Sequence, residues 1–97
     1  MGKPYIITTG ATAGRCVLFG YCEEEPEIGE EFRLERSRMV LYWPKECGGL
    51  FGLAADGPKD GLRLSGAVTT KGHPVREVIE VEHDVAEMLS AWPVYRG

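Results

Sequence analysis

The sequence predicts an α+β fold: a small curled, mainly antiparallel β-sheet or partial barrel, with a short mid-chain helix and a C-terminal capping helix. Two observations lead to this class. Short runs rich in β-branched and aromatic residues, separated by turns with Gly and Pro, fill the first two thirds of the chain. The last element has helical periodicity instead. The length of 97 residues and the hydrophobic content of 43% fit a single small domain over residues 1–97.

The predicted sheet begins with the run YIITT at residues 5–9. The next run, RCVLFGYCEE at 15–24, is apolar on both faces, which is typical of a central strand covered on both sides. Gly20 within this run indicates a bend or a bulge. The acidic stretch at 23–31 follows, and its Pro and Gly residues indicate a solvated turn.

Two further strands follow the acidic turn. EFRLER at 31–36 alternates, which places Phe32 and Leu34 inward. RMVLYW at 38–43 predicts a core face and an opposite face. The core face holds Met39, Leu41 and Trp43, and the opposite face holds Arg38, Val40 and Tyr42.

The C-terminal third predicts a short strand with a turn in LRLSGAV, a strand in PVREVIEVEH and a helix in DVAEMLSAW. In the second of these strands, Ile79 and Val81 share one face. Asp84 as N-cap and Glu87 three residues later form a capping-box pattern at the start of the helix. Pro93 ends the helix, and its apolar stripe consists of Val85, Met88, Leu89 and Trp92.

The segment YWPKECGGLFGLAADGP at 42–58 allows two interpretations. The leucine spacing and the closing Gly-Pro pair predict a short helix that turns a corner between strands. The alternative is a phosphate or carboxylate site, in which Lys45 lies beside free amide groups of Gly48 and Gly49 at a helix N-terminus. Neither G-x-x-x-x-G-K-[ST] nor G-x-G-x-x-G occurs in the chain. Because glycine at a helix entry usually serves the backbone conformation, the structural interpretation is favoured.

Four sequence features occur together over residues 15–92. They are the YW pair that ends a strand, the Gly-Gly pair, the pattern GLA-x-x-GP, and a Val/Glu-rich strand before a helix that ends in Trp. Together they resemble a family of small proteins encoded by phages and prophages, which has no established function. Similar proteins often carry Ser or Thr after the aromatic pair, where this chain has Pro44. The resemblance implies a phage or prophage protein and assigns no catalytic residue.

Residues that carry chemistry are scattered, and we predict no catalytic residue, no metal site and no cofactor. A zinc site needs three or four clustered ligands, but His73 and His83 lie in different predicted environments. Cys16 and Cys22 share a strand face and lie roughly 20 Å apart, too far to bind one metal ion. The odd number of cysteines favours reduced thiols, with Cys47 the most reactive because it adjoins the Gly-Gly pair.

The charge and hydropathy of the chain argue against several function classes. A net charge of −4 disfavours a nucleic-acid-coating protein, while leaving room for a local basic patch of Arg33, Arg36 and Arg38. No apolar run reaches membrane-spanning length, and the N-terminus lacks a signal-peptide pattern. We therefore expect a cytoplasmic protein with no membrane partner, located in the host cell if the chain is phage-encoded.

Arg38 and Tyr42 share one strand face, and both residue types are favoured in protein interfaces. With Lys45, Gly48 and Gly49 they are the predicted partner- or ligand-binding residues. We predict a non-catalytic accessory binding protein of phage or prophage type that self-associates, since a second copy often covers the edges of a small sheet. The alternatives are an anti-defence protein, which masks a host effector or sequesters a nucleotide signal, and a minor virion component.

Overall fold

A computed structural model describes residues 2–10, 16–72 and 74–96 of the chain. These residues form six strands, two α-helices and a short 3₁₀ turn. In chain order the elements are β1 Lys3–Thr9, β2 Cys16–Cys22, β3 Phe32–Tyr42, the 3₁₀ turn Lys45–Cys47, α1 Gly49–Asp56, β4 Arg63–Leu64, β5 Val68–Gly72, β6 Val75–Glu80 and α2 His83–Ala91. The predicted α+β class is confirmed, and both predicted helices are present.

The six strands form one sheet with β2 at its centre, as the two apolar faces of that strand predict. The order across the sheet is β4, β3, β2, β1 and β6, and β5 pairs with the first half of β3. All strand pairs are antiparallel. β1 and β2 are paired along their whole length, from Lys3 opposite Cys22 to Thr9 opposite Cys16.

The sheet curls so far that its two edges approach each other. β5 and β6 lie at opposite edges, although only residues 73 and 74 separate them in the chain. Ahead of β3, the Gly29 amide donates to the Val75 carbonyl at 2.7 Å, and the Val75 amide donates to the Glu30 carbonyl at 3.1 Å. These two hydrogen bonds attach the acidic turn to the start of β6. The result is the curled sheet that the sequence predicts.

Apolar side chains cover both faces of the sheet. On one face, here called the helix face, strand residues pack against α1 and α2; this cluster includes Ile6, Phe19, Val40, Leu53, Leu64, Val85 and Leu89. On the other, the inner face, a second cluster consists of Tyr5, Ile7, Leu18, Phe32, Leu34 and Val75. Neighbouring residues of a strand point to opposite faces, so β1 and β2 contribute to both clusters.

A β-bulge in β3 sits opposite Gly20 of β2. Arg36 and Ser37 together oppose this single glycine, and Arg36 has a left-handed φ of 49°. A side-chain carbon at Gly20 would lie only 3.0 Å from Cβ of Leu34 and 3.2 Å from Cβ of Ser37. Because glycine has no side chain, position 20 leaves room for the bulge of β3. The predicted irregularity at Gly20 is confirmed.

Beyond the bulge, the facing of β3 differs from the prediction. Arg38 and Val40 lie on the helix face and are buried, whereas Met39 and Leu41 are 38% and 45% exposed on the opposite side. The predicted core face is therefore wrong for these two residues, and Trp43 is only partly buried against the helix-face cluster. Alternation indicates which side chains share a face, but the packing of the helices decides which face becomes the core.

Helix α1 has the predicted position and end. Leu53 and Ala54 are buried in the helix-face cluster, and Leu50 packs against that cluster. The helix ends at Gly57, whose φ of 100° lies in the left-handed region, and Pro58 follows it. The Gly-Pro pair therefore ends the helix as the sequence predicts.

Helix α2 begins before its predicted start. Glu82 is the N-cap residue, and no side chain among the described residues caps the helix, so the predicted capping box of Asp84 and Glu87 does not form. Backbone contacts determine the start instead. The Val81 amide donates to the beginning of β1 at 3.3 Å, and the Glu82 amide donates to the Ala54 carbonyl at 3.1 Å. These bonds fix the backbone at Val81 and Glu82, so the helix begins before Asp84, the predicted N-cap residue.

The buried side of α2 is rotated relative to the predicted stripe. The buried residues are Val85, Ala86 and Leu89, while Met88 is 44% exposed and Trp92 is only partly buried. Ala86 is 1% exposed and belongs to the helix-face cluster, although the predicted stripe leaves it out. Ala86 therefore takes the core position that the spacing assigned to Met88.

This rotation predicts unequal effects of two substitutions on the same helix. Leu89→Ala removes a fully buried side chain and should lower the free energy of unfolding by about 2–5 kcal/mol. Met88→Ala, at an exposed position, should lower it by less than about 1 kcal/mol. Urea denaturation of both variants measures the difference, and equal losses would contradict this packing of α2.

Candidate functional site

The predicted binding residues do not form one site. Arg38 is buried, with 3% of its surface exposed, whereas Tyr42 at the end of the same strand is 49% exposed. Lys45 lies in the 3₁₀ turn, and Gly48 and Gly49 are exposed at the entry to α1. The predicted binding residues therefore lie in three different surroundings. Arg38 is buried, Tyr42 is exposed at the end of β3, and Lys45, Gly48 and Gly49 lie at the turn into α1.

The Arg38 guanidinium binds the C-terminal end of α2. Its Nη1 donates to the carbonyls of Leu89 at 2.8 Å and Trp92 at 2.6 Å, with the Ser90 carbonyl at 3.3 Å. Its Nε donates at 2.7 Å to the carbonyl of Ser65, in the link between β4 and β5. The last carbonyls of a helix have no partner within the helix and carry its partial negative charge, so a cation is a favourable cap.

Arg38 is a structural residue and does not belong to an exposed binding face. Among the described residues no carboxylate pairs with it, and its buried Nη2 has no hydrogen-bond acceptor there. Burial lowers the pKa of the guanidinium from its ordinary value, although a guanidinium keeps its proton at neutral pH. The hydrogen bonds to carbonyl groups therefore have to offset the cost of burying a charge.

The 3₁₀ turn and the glycines after it carry the chain around a corner into α1. Gly48 and Gly49 have φ values of 79° and 74°, which favour glycine. The Gly48 amide donates to the Lys45 carbonyl at 3.0 Å, so it is not the free donor that an anion site requires. Gly52 allows a close approach as well, because a side-chain carbon there would overlap the Cys47 carbonyl. These contacts support the structural interpretation of the segment.

The cysteines differ from their predicted order of reactivity. Cys47, expected to be the most reactive, is 3% exposed and lies in the helix-face cluster because the 3₁₀ turn packs it against α1. Cys16 and Cys22 are partly buried, and the Cys22 thiol donates to the Arg33 carbonyl at 3.4 Å. All three thiols are free, and the two in β2 are the more accessible ones.

The net charge left room for a local basic patch of Arg33, Arg36 and Arg38, but these three arginines have different surroundings and do not form one. Arg33 pairs with Glu35 at 3.3 Å on the surface, and the Arg36 guanidinium lies 3.9 Å from the centre of the Tyr21 ring. Arg38 is buried beneath α2. The bulge separates the side chain of Arg36 from that of Arg38, which strand alternation alone would have placed on the same face.

No group of three or more His, Cys, Asp or Glu side chains that could hold a metal ion occurs in residues 2–10, 16–72 and 74–96. His83 is exposed at the start of α2, 3.8 Å from Glu87, and His73 lies outside the described residues. Neither helix in this part of the chain is long and apolar enough to cross a membrane.

Burial, more than the charges of Glu25 and Glu80, raises the pKa of Tyr5, which keeps this phenol neutral within the inner-face cluster.

An exposed arginine flanked by two tyrosines lies where β3, β4 and the C-terminal tail meet. β4 places Arg63 opposite Tyr42, and the Tyr95 amide donates to the Leu64 carbonyl at 2.9 Å on the other side of β4. The Arg63 guanidinium lies 5.2 Å from the centre of the Tyr42 ring and 4.8 Å from that of Tyr95. These distances are those of cation–π contacts. We call Tyr42, Arg63 and Tyr95 the platform.

An apolar hollow adjoins the platform and shares Tyr95 with it. Its volume is about 400 Å³, and its lining consists of Leu62, Trp92, Pro93, Val94, Tyr95 and Arg96. The Trp92 indole donates to the Leu62 carbonyl at 2.9 Å, which joins two residues of this lining. The platform and the hollow together form the contact surface, which combines an arginine, two aromatic rings and an apolar depression.

A larger groove of about 590 Å³ lies at the C-terminal end of β1. Its lining includes Thr8, Thr9, Met39, Leu41 and Glu77. Three of its polar side chains have partners: the Thr8 hydroxyl donates to Glu77 at 3.0 Å, and Arg76 donates to the Gly10 carbonyl at 3.3 Å. None of the predicted binding residues lines this groove. The groove is therefore a weaker candidate than the contact surface, where no acceptor among the described residues contacts the Arg63 guanidinium.

Sequence reasoning identified Tyr42 but missed Arg63 and Tyr95. Arg63 lies in a strand of two residues, and Tyr95 follows the end of the last helix. No periodic pattern marks either residue. Their proximity depends on the pairing of β3 with β4 and on the path of the tail along β4, and neither can be read from local spacing.

The fold and these surfaces define a small α+β protein with a mostly antiparallel open sheet and an exposed surface of aromatic and arginine side chains. A family model described as a domain of unknown function (DUF6948) matches residues 2–89. The chain therefore belongs to this family, and Tyr95 and Arg96 lie beyond the matched residues. No curated protein and no solved structure matches the chain.

The carbonyl contacts of Arg38 predict that this residue is needed for stability. Arg38→Met leaves four buried or half-buried carbonyls without their donor and should lower the free energy of unfolding by about 3 kcal/mol or more. Arg33→Met, on the same strand but exposed, should lower it by less than about 1 kcal/mol. Urea denaturation compares the two variants, and similar midpoints would show that Arg38 does not hold α2 against the sheet.

Proposed function

We propose that this protein is a non-catalytic binding protein that self-associates, and that its contact surface is where the copies meet. Because its sequence features resemble those of small proteins encoded by phages and prophages, we further propose that it is a phage or prophage accessory protein. It would act in the cytoplasm of a host cell. The observation that carries the proposal is the free guanidinium of Arg63 between two exposed tyrosine rings.

The chemistry of Arg63 supports a binding role. Within the part of the chain that the structure describes, no acceptor contacts its guanidinium, and the two rings restrict its motion. A restrained guanidinium loses little conformational entropy on binding, and its planar edge fits a carboxylate with two parallel hydrogen bonds. Arg63 is therefore prepared to bind a carboxylate group.

The surroundings of Arg63 favour a protein partner. Tyr42 and Tyr95 are 49% and 43% exposed, and Val94 beside them is 40% exposed. Tyrosine and arginine are enriched among the residues that contribute most to protein–protein affinity. The adjoining hollow can accept an apolar side chain, and an apolar anchor next to a charged pair is a common arrangement in protein interfaces.

The composition of the chain favours a second copy as the partner. The protein has 15 acidic against 11 basic side chains, so another copy supplies the carboxylates that Arg63 and Arg96 can bind. Opposite charges on two surfaces increase the rate of encounter and select the partner. The chain itself therefore carries both the arginines and the carboxylates that self-association requires.

Sedimentation equilibrium over a wide range of protein concentrations tests this proposal. We expect the average mass of the wild type to rise with concentration, and Arg63→Ala/Tyr95→Ala to remain at the monomer mass, since it removes the guanidinium and one ring. Arg76→Ala, another exposed arginine that lines a separate groove beside Glu77, should associate as the wild type does. A wild type that stays monomeric, or a double variant that still associates, would refute the proposal.

The alternative function is capture of a nucleotide signal, as an anti-defence protein would do. One observation favours it: the free edge of Arg63 fits phosphate as well as carboxylate. Thermal melting in the presence of linear and cyclic nucleotides tests this alternative, because a ligand at a hundredfold excess over its Kd stabilises by about 2.7 kcal/mol. We expect no increase in the melting temperature. An increase in the wild type that is lost in Arg63→Ala or Lys45→Ala would favour the nucleotide function instead.

A further inference from the structure

The acidic turn at 23–31 presents one large apolar side chain among carboxylates. Six of its nine residues are glutamate and none is basic. Ile28, at the tip, is 63% exposed, one of the largest exposed fractions among the apolar side chains that the structure describes. The turn therefore combines an apolar side chain with neighbouring negative charge, which is the complement of the contact surface.

The tip of the turn is held in a defined conformation. The Glu30 amide donates to the Glu27 carbonyl at 3.1 Å, and Gly29 has a left-handed φ of 85°. Gly29 and Glu30 are both hydrogen-bonded to the backbone of Val75 in β6, and Pro26 is buried. A turn that is already ordered loses little entropy when it binds, so Ile28 is presented in a form ready for contact.

The acidic turn and the contact surface lie at opposite ends of β3. The turn leads directly into Phe32, the first residue of the strand, and Tyr42 of the platform is the last. Eleven residues of extended chain span on the order of 30 Å. The turn of one copy therefore cannot reach the contact surface of the same copy, but it is free to reach that of another.

We propose that copies of this protein associate head to tail, with the acidic turn of one copy bound to the contact surface of the next. Ile28 enters the hollow beside Trp92, and carboxylates of the turn bind the free edges of Arg63 and Arg96. This inference rests on the proposed self-association and identifies the segment of the second copy that is bound.

The proposed contact joins two different surfaces, so each copy keeps one free acidic turn and one free contact surface. Such heterologous contacts build rings when the rotation closes and open chains when it does not. Because carboxylate–arginine pairs at a rim are screened by ions, association should weaken as salt is added. An interface in which the same patch meets itself would instead stop at a dimer.

Two variants, each defective on one side of the contact, test the proposal. The turn variant is Glu27→Gln/Ile28→Ala/Glu30→Gln, and the surface variant is Arg63→Ala/Tyr95→Ala. All five positions are exposed, so both variants should melt at the wild-type temperature. The matched control is Glu82→Gln/Glu87→Gln/Met88→Ala, which removes two exposed carboxylates and one exposed apolar side chain from the region of α2.

We expect each variant alone to be monomeric in sedimentation, with association weakened at least about tenfold, as for central interface residues. An equimolar mixture should form a dimer and nothing larger, because the intact turn of one variant meets the intact contact surface of the other. The control should associate as the wild type does.

The remaining outcomes separate the two proposals. If the surface variant still associates alone, the proposed function itself fails. If the surface variant is monomeric but the turn variant associates as the wild type does, only the head-to-tail inference fails. A mixture of two monomeric variants that forms no dimer would also overturn the inference, because complementary defects must restore a head-to-tail contact.

Discussion

The guanidinium of Arg38 binds β3 to two segments that are distant from it in the chain. Through carbonyl groups it joins β3, the link between β4 and β5, and the C-terminal end of α2. An apolar side chain cannot replace it, because the carbonyls would lose their donor in a poorly solvated place. The chain leaves α2 at this point and then runs beside β4, where the Tyr95 amide bonds to Leu64 and the Tyr95 ring contacts Arg63.

The bulge in β3 divides this strand into two parts that pair with different neighbouring strands. Because Arg36 and Ser37 oppose one residue of β2, the strand changes direction, and its first half pairs with β5 while its end pairs with β4. The start of β3 carries the acidic turn to the edge of β6, and its end carries Tyr42 to the platform. Both surfaces of the proposed head-to-tail contact are thus consequences of one long, bent strand.

The candidate site was only partly predictable. Tyr42 was identified from its residue type and from its place on the strand face opposite the predicted core residues, and it is exposed. Arg38 was assigned to the same surface because the two residues share a face by alternation. Its burial depends on the end of α2, which supplies acceptors for a buried charge, and no local pattern in β3 reveals that. Arg63 and Tyr95 were missed because a strand of two residues and an extended tail have no periodicity.

The sequence by itself determined the α+β class, the central place of β2, the irregularity at Gly20 and the end of α1 at Gly57. Each depends on local preferences: apolar periodicity, backbone freedom at glycine and the exclusion of proline from a continuing helix. Only the tertiary structure decided which face of β3 the helices cover, how α2 is rotated, that Cys47 is buried, and that Arg63 lies between Tyr42 and Tyr95. These features depend on how segments distant in the chain pack and pair, and many such arrangements satisfy the same local preferences until the complete core selects one.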